Sequence, residues 1–142
     1  MARLWQCGFE LNSTTTNVEG MAFSGSGFSI QSTVVRSGNY TAAFTTTTGS
    51  PNFLYQFKSS STDSIAYCRF YFYMTAFPTN VTNIFQIRSV GSIRITSTGT
   101  LQLFNASAQV GSDSIVLAKR TWYMIEIGCD TTAGAGSDTL TG

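Results

Sequence analysis

The sequence predicts an all-β protein, a two-sheet antiparallel β-sandwich or jelly roll formed as a single domain over residues 1–142. Three observations carry that expectation. Helical periodicity is nearly absent, and strong helix formers are sparse. Thr, Val, Ile, Phe and Tyr recur instead in short alternating runs broken by Gly, Ser and Asn. The longest run, Ser64 to Thr75, alternates strictly between two unlike faces, as a strand covered on one side must.

Taken in order, the candidate strands are Leu4 to Leu11, Gly27 to Thr33, Tyr40 to Thr45, Phe53 to Lys58, Ser64 to Thr75, Asn83 to Arg88, Ser92 to Thr96, Leu101 to Phe104, Ile115 to Leu117 and Thr121 to Cys129. Many short strands parted by turn signals suit layered sheets. In Ser64 to Thr75, the residues Ala66, Cys68, Phe70, Phe72 and Met74 should line the core, leaving Ile65, Tyr67, Arg69, Tyr71 and Tyr73 outside. Thr121 to Cys129 repeats the pattern, with Tyr123, Ile125, Ile127 and Cys129 inward and Trp122, Met124 and Glu126 opposite. Phe85, Ile87, Ile93 and Ile95 point in, and Gln86, Arg88 and Arg94 out. Val90-Gly91-Ser92 and Ser97 to Thr100 read as hairpin turns, which makes Asn83 to Phe104 a three-stranded meander. A Gly-rich turn leads to a final strand, Asp138 to Thr141. The Ser/Thr runs at Ser13 to Thr16, Thr45 to Thr48 and Ser59 to Thr62 suit loop tips, and no internal repeat stands out.

Only 11% of residues are charged, against roughly 25% in an ordinary soluble domain, so 21 Thr and 18 Ser carry the solvation. The net charge is +1 with no basic cluster, so few counterions could be released and nucleic acid is not an expected partner. There is no His, which removes the commonest general base, the commonest zinc ligand and every Ser-His-Asp arrangement. The first ten residues meet Gln6 and Glu10 before an apolar signal core of roughly 7 to 15 residues can form, and no run reaches the ~18 apolar residues of a membrane helix. The expectation is a soluble protein made in a cytoplasm, without an export signal or membrane insertion. Cys7, Cys68 and Cys129 each lie in an apolar or β-like run and read as buried thiols. Four glycosylation sequons, at Asn12, Asn39, Asn80 and Asn105, stand against about two expected by chance in so Ser/Thr-rich a chain, and nothing suggests entry into a secretory pathway, so they are discounted.

No catalytic residue is assigned and no cofactor is expected. The carboxylates are Glu10, Glu19, Asp63, Asp113, Glu126, Asp130 and Asp138, and none forms the strand-borne pair, about 5 to 10 Å apart, that glycoside hydrolysis needs. Glu126 reads as a solvent-facing or Arg-paired acid, and Glu10 as an isolated one. Gly25-Ser26-Gly27 lacks the Lys and helix of a phosphate loop. Ala133 to Gly142 resembles one calcium-binding nonapeptide of the repeats-in-toxin type, with Asp138 as the single candidate metal ligand. A lone copy lacks the neighbouring turn that completes such a site, so a Gly-rich turn is the preferred reading. The candidate ligand or partner surface is Tyr67, Arg69, Tyr71 and Tyr73, joined by Arg88, Trp122 and Glu126. Such aromatic faces stack on sugars and are enriched at protein interfaces.

Gly8-Phe9-Glu10, Ser37 to Ala42, the aromatic strand Tyr67 to Tyr73, Gly99-Thr100-Leu101-Gln102-Leu103 and Trp122-Tyr123-Met124-Ile125-Glu126 occur in an order that resembles the laminin G-like, concanavalin A-like jelly-roll family. The resemblance spans nearly the whole chain. It implies a sandwich with one concave face, used for glycans, for protein contacts or, in its glucanase branch, for hydrolysis; that branch's acid pair has no counterpart here. It also implies further strands beyond Gly142, without which one sheet edge stays open. The chain resembles small virion proteins of tailed phages as well. The expected function is therefore a non-enzymatic structural or interaction protein, a capsid decoration or tail component assembling with like or unlike subunits. The expected location is the virion, after synthesis in a host cytoplasm; the alternative is extracellular, by a route without a visible signal peptide. The alternative function is a carbohydrate-binding module that uses the aromatic face on surface glycans.

Overall fold

A computed structural model describes residues 9–12, 21–24, 27–45, 53–56, 65–87, 90–130 and 139–141. The chain comprises two compact units, Met1–Ser61 and Thr62–Gly142. All regular structure among the described residues is antiparallel β, which agrees with the all-β expectation.

In the first unit β1 (Met21–Ser24) pairs with β4 (Phe53–Gln56), and β2 (Phe28–Gln31) with β3 (Thr41–Phe44). The β2–β3 pair is closed by Phe28 against its cross-strand partner Phe44, with ring centroids 5.1 Å apart. At the exit of β2 the Gln31 amide substitutes for missing ladder partners. Its Oε1 accepts from the backbone N–H of Thr33 and Val34, and its Nε2 donates to the Val34 carbonyl at 2.7 Å. The expected strand Leu4 to Leu11 is corrected over its described part. Residues 9–12 form a turn in which Asn12 N–H donates to the Phe9 carbonyl at 3.1 Å, with Phe9 and Asn12 both at positive φ. Positive φ breaks strand geometry.

The second unit contains β5 (Ile65–Tyr73), β6 (Thr82–Ile87), β7 (Gly91–Ile95), β8 (Leu101–Asn105), β9 (Ala108–Val110), β10 (Trp122–Asp130) and β11 (Thr139–Thr141). One sheet has the order β11-β10-β5 and the other β6-β7-β8-β9. The two pack face to face. Cys68 and Phe70 of β5 and Ile125, Ile127 and Cys129 of β10 meet Ile84, Phe85, Ile87, Ile93, Leu101 and Leu103 of the other sheet, with Val90 just before β7. Phe70 stacks on Phe85 across this core at 5.4 Å and 13°. Ile127 is 1% exposed, and burying such a side chain contributes about 1.5–3 kcal/mol.

The meander is present and extended by one strand. Ala106 and Ser107 join β8 to β9, with Asn105 opposite Ala108. A bulge at Ile84 changes the face logic of β6. Asn83 opposes Arg94 and Phe85 opposes Ile93, so Ile84 is the extra residue, and Ile84 and Phe85 are both half-buried. The expected turn Val90-Gly91-Ser92 falls earlier: Val90 N–H donates to the Ile87 carbonyl at 3.1 Å, and Gly91 already begins β7. Ile115 to Leu117 is not a strand. Ser114 and Leu117 donate to the carbonyls of Leu101 and Gly99, three residues on one side against two on the other, a spacing that no regular ladder can continue. Only Leu117 of this segment is buried, while Ile115 and Val116 stand in solvent.

Candidate functional site

The site is built on β5 and β10, whose nine-residue register sets Tyr73 opposite Trp122, Tyr71 opposite Met124, Arg69 opposite Glu126 and Tyr67 opposite Gly128. Opposed residues share a face. Strict alternation on both strands therefore sends Phe70, Phe72, Tyr123, Ile125 and Ile127 to the core side and gathers the others outside. The inward ring Tyr123 packs on Phe72 at 5.7 Å, and its hydroxyl accepts the Ala118 N–H at 2.7 Å, which satisfies its polar end.

The outward face has three parts. At one end Tyr73 and Trp122 are half-buried and tilted on each other at 5.3 Å, a contact worth about 0.5–1.5 kcal/mol beyond its area. In the middle Tyr71 and Met124 are exposed, Met124 to 52%. Next to them the Arg69 Nε and Nη2 both donate to Glu126 Oε2, Nε at 2.7 Å. Tyr67 is 59% exposed and Ile65 beyond it 50%. The Glu126 carboxylate raises the Arg69 guanidinium above its already high pKa, chiefly by accepting its hydrogen bond and secondarily by charge. So exposed a pair adds little stability. Its consequence is electrostatic, since each of these two charges has its partner at hand and the pair adds no net charge to the face.

Of the residues expected here, Tyr67, Arg69, Tyr71, Tyr73, Trp122 and Glu126 come together, and Glu126 proves to be Arg-paired. Arg88 lies outside the described residues, as do Asp138 and Cys7. Met124 belongs at the centre of the face; its alternation was visible in sequence, but its position opposite Tyr71 depends on a register set by residues more than fifty positions apart. Glu10 also has a partner: its carboxylate accepts the Asn39 N–H at 3.0 Å and the Asn39 Nδ2 at 3.3 Å.

Chemically the β5/β10 face can stack, bury and neutralise. Glu126 and Asp130 lie on the same face of β10, but four residues apart, about 13 Å along a strand, beyond the reach of a paired-carboxylate mechanism. Among the described residues no group of three or more Cys, Asp or Glu side chains is placed to hold a metal ion. The half-buried Cys68 thiol is pushed up in pKa by desolvation, which keeps it protonated and poorly nucleophilic at neutral pH. Comparison with known proteins finds no family model, no curated protein and no solved structure that matches this chain.

Proposed function

We propose that this chain is a non-enzymatic structural or interaction protein that assembles through the outer face of β5 and β10, with copies of itself as the first partner. The observation that supports this is the continuity of Tyr67, Tyr71 and Met124 around a neutralised Arg69–Glu126 pair. Aromatic residues, Met and Arg are the types enriched where proteins meet. Nine residues at about 3.4 Å make the face roughly 30 Å long, and two strands make it roughly 10 Å wide. That is a footprint of about 300 Å², its charged residues included, at the lower end of the size of the largest, often functional, patches on typical monomers. The paired charges lower the cost of covering the face, since neither ion is left alone when water leaves. A net charge of +1 adds almost no repulsion between copies. The likeness to jelly-roll virion proteins extends the reading to a capsid or tail lattice, where many copies or unlike subunits meet at high local concentration.

The exposed Tyr67 and Tyr71 rings also favour a second reading, a carbohydrate-binding face. A glycan array with the native chain and Tyr71→Ala separates the two. Stacking on sugar requires glycan signal that falls in the variant, whereas assembly gives none, together with light scattering that reports a mass above the 15.3 kDa of one chain.

A further inference from the structure

We infer that the outer face of the four-stranded sheet carries a second site, a carboxylate-binding hollow organised around Arg94. The bulge at Ile84 brings Asn83 onto the outer face beside Arg94 while Phe85 stays inside, and the cross-strand row Gln86–Ser92–Phe104 runs alongside. Arg94 is held on two sides. Its guanidinium lies 3.6 Å from the centroid of the Phe104 ring, and its Nε donates at 3.2 Å to the Ser92 hydroxyl, which is 3% exposed. Ring and hydroxyl together fix the plane and the rotation of the fork, so little conformational freedom is left to lose on binding.

Five N–H donors belong to a guanidinium, and Nε is the one spent here. Among the described residues no carboxylate pairs with Arg94; the one ion pair there is Arg69–Glu126. The acid closest in the sheet's hydrogen-bond pattern is committed elsewhere. Asp113 accepts from Thr100 Oγ1 at 3.0 Å, from Gln102 Nε2 at 3.0 Å and from Gln109 Nε2 at 2.8 Å. A half-buried, immobilised cation that no described carboxylate pairs with is thus available to an external anion.

The space beside it has a matching size. Gln86, Ser92 and Arg94, with Gly91 and the apolar Ile87, Val90 and Ala106, line a hollow of about 170 Å³. That is well under the roughly 300 Å³ at which drug-sized pockets begin, so it admits an acidic group while the rest of its bearer stays outside. Among the described residues Arg94 is the one cationic side chain that lines the hollow, and a single Arg fork suits the planar monoanion of a carboxylate, which it can grip bidentately, better than a dianionic phosphate. The Gln86 amide offers a further donor at the rim. An acidic peptide side chain and a uronic sugar present the same group.

The test is a titration of the full chain followed by amide and Arg Nε resonances, with N-acetylaspartate, glucuronate, glucose and inorganic phosphate as separate probes. One or both carboxylate probes should saturate with a dissociation constant on the order of 1 mM, moving Gly91, Ser92 and Arg94, and the stronger of the two identifies the source of the carboxylate. Arg94→Gln should weaken that binding about tenfold or more with an otherwise native spectrum, and Arg94→Lys should weaken it as well because the fork is lost. Phe104→Leu should weaken it less, since it only frees the plane of the guanidinium. Lack of saturation by either carboxylate, tighter binding of phosphate than of both, or undiminished binding in Arg94→Gln overturns the inference.

Discussion

Gly99→Ala should be among the costliest single-methyl additions in the second unit, and its size follows from two separate effects. Gly99 is buried at φ +88°, in the left-handed region that an L side chain enters at a cost of about 1–2 kcal/mol. A methyl there would also overlap the Phe77 ring, whose Cζ, Cε1 and Cε2 all face the position. Forcing a group into such a filled space costs about 1–3 kcal/mol more. Gly111 is the internal control, because it has φ +70° and nothing within 4 Å of an added methyl. Urea unfolding should therefore place Gly111→Ala about 1–2 kcal/mol below the native chain and Gly99→Ala about 2–5 kcal/mol below it, which separates their midpoints by roughly 1 M. Phe77→Leu combined with Gly99→Ala should cost less than the sum of the single changes. The turn matters to the site because the Gly99 carbonyl accepts the Leu117 N–H at 2.9 Å and so tethers the segment that enters β10. Equal losses at Gly99 and Gly111, or strict additivity with Phe77→Leu, would refute this account of the turn.

Two further outcomes follow from titratable groups. The Asp113 carboxyl is held below its usual pKa, first by the Gln102 hydrogen bond and then by those from Gln109 and Thr100. A depressed folded-state pKa contributes stability that is present above the unfolded value of about 3.9 and is lost as pH falls through the lower folded value. Asp113→Asn should remove that acid-side dependence, and a carboxyl carbon titration of the native chain should give an Asp113 midpoint under the ordinary Asp range. At Cys68 the raised pKa and half-burial predict alkylation by iodoacetamide at pH 7.5 far slower than in the urea-unfolded chain; equal rates in the two states would contradict the burial.

The two site strands were the most legible part of the sequence, because alternation with a period of two is local and both strands keep it over nine residues. What was hidden is long-range or irregular. The Arg69–Glu126 pair joins residues 57 positions apart, and a one-residue slip in register would abolish it. The bulge at Ile84 breaks the parity on which a face assignment depends, so Asn83 and Phe85 part company although their spacing puts them together. Strand β9 is only three residues long and exposed throughout, and its Ala106-Ser107 connection carries none of the Asn-Gly or Asp-Gly chemistry that marks a two-residue hairpin. The apolar run at Ile115 to Leu117 resembled a strand by composition, but only Leu117 is buried. Alternation places Met124 on the outer face, but only the strand register sets it beside Tyr71 at the centre of the site.

The claim that the β5/β10 face mediates assembly is tested most directly by sedimentation equilibrium of the native chain and of a Tyr67→Glu/Met124→Glu variant across about 1 to 200 μM. Both residues are exposed, so the substitutions leave the core intact, which circular dichroism can verify. The native chain should show a mass that rises with concentration above 15.3 kDa, and the variant should shift that transition to at least about tenfold higher concentration. A native chain that stays at the mass of one copy throughout, or association undiminished in the variant, would contradict the account.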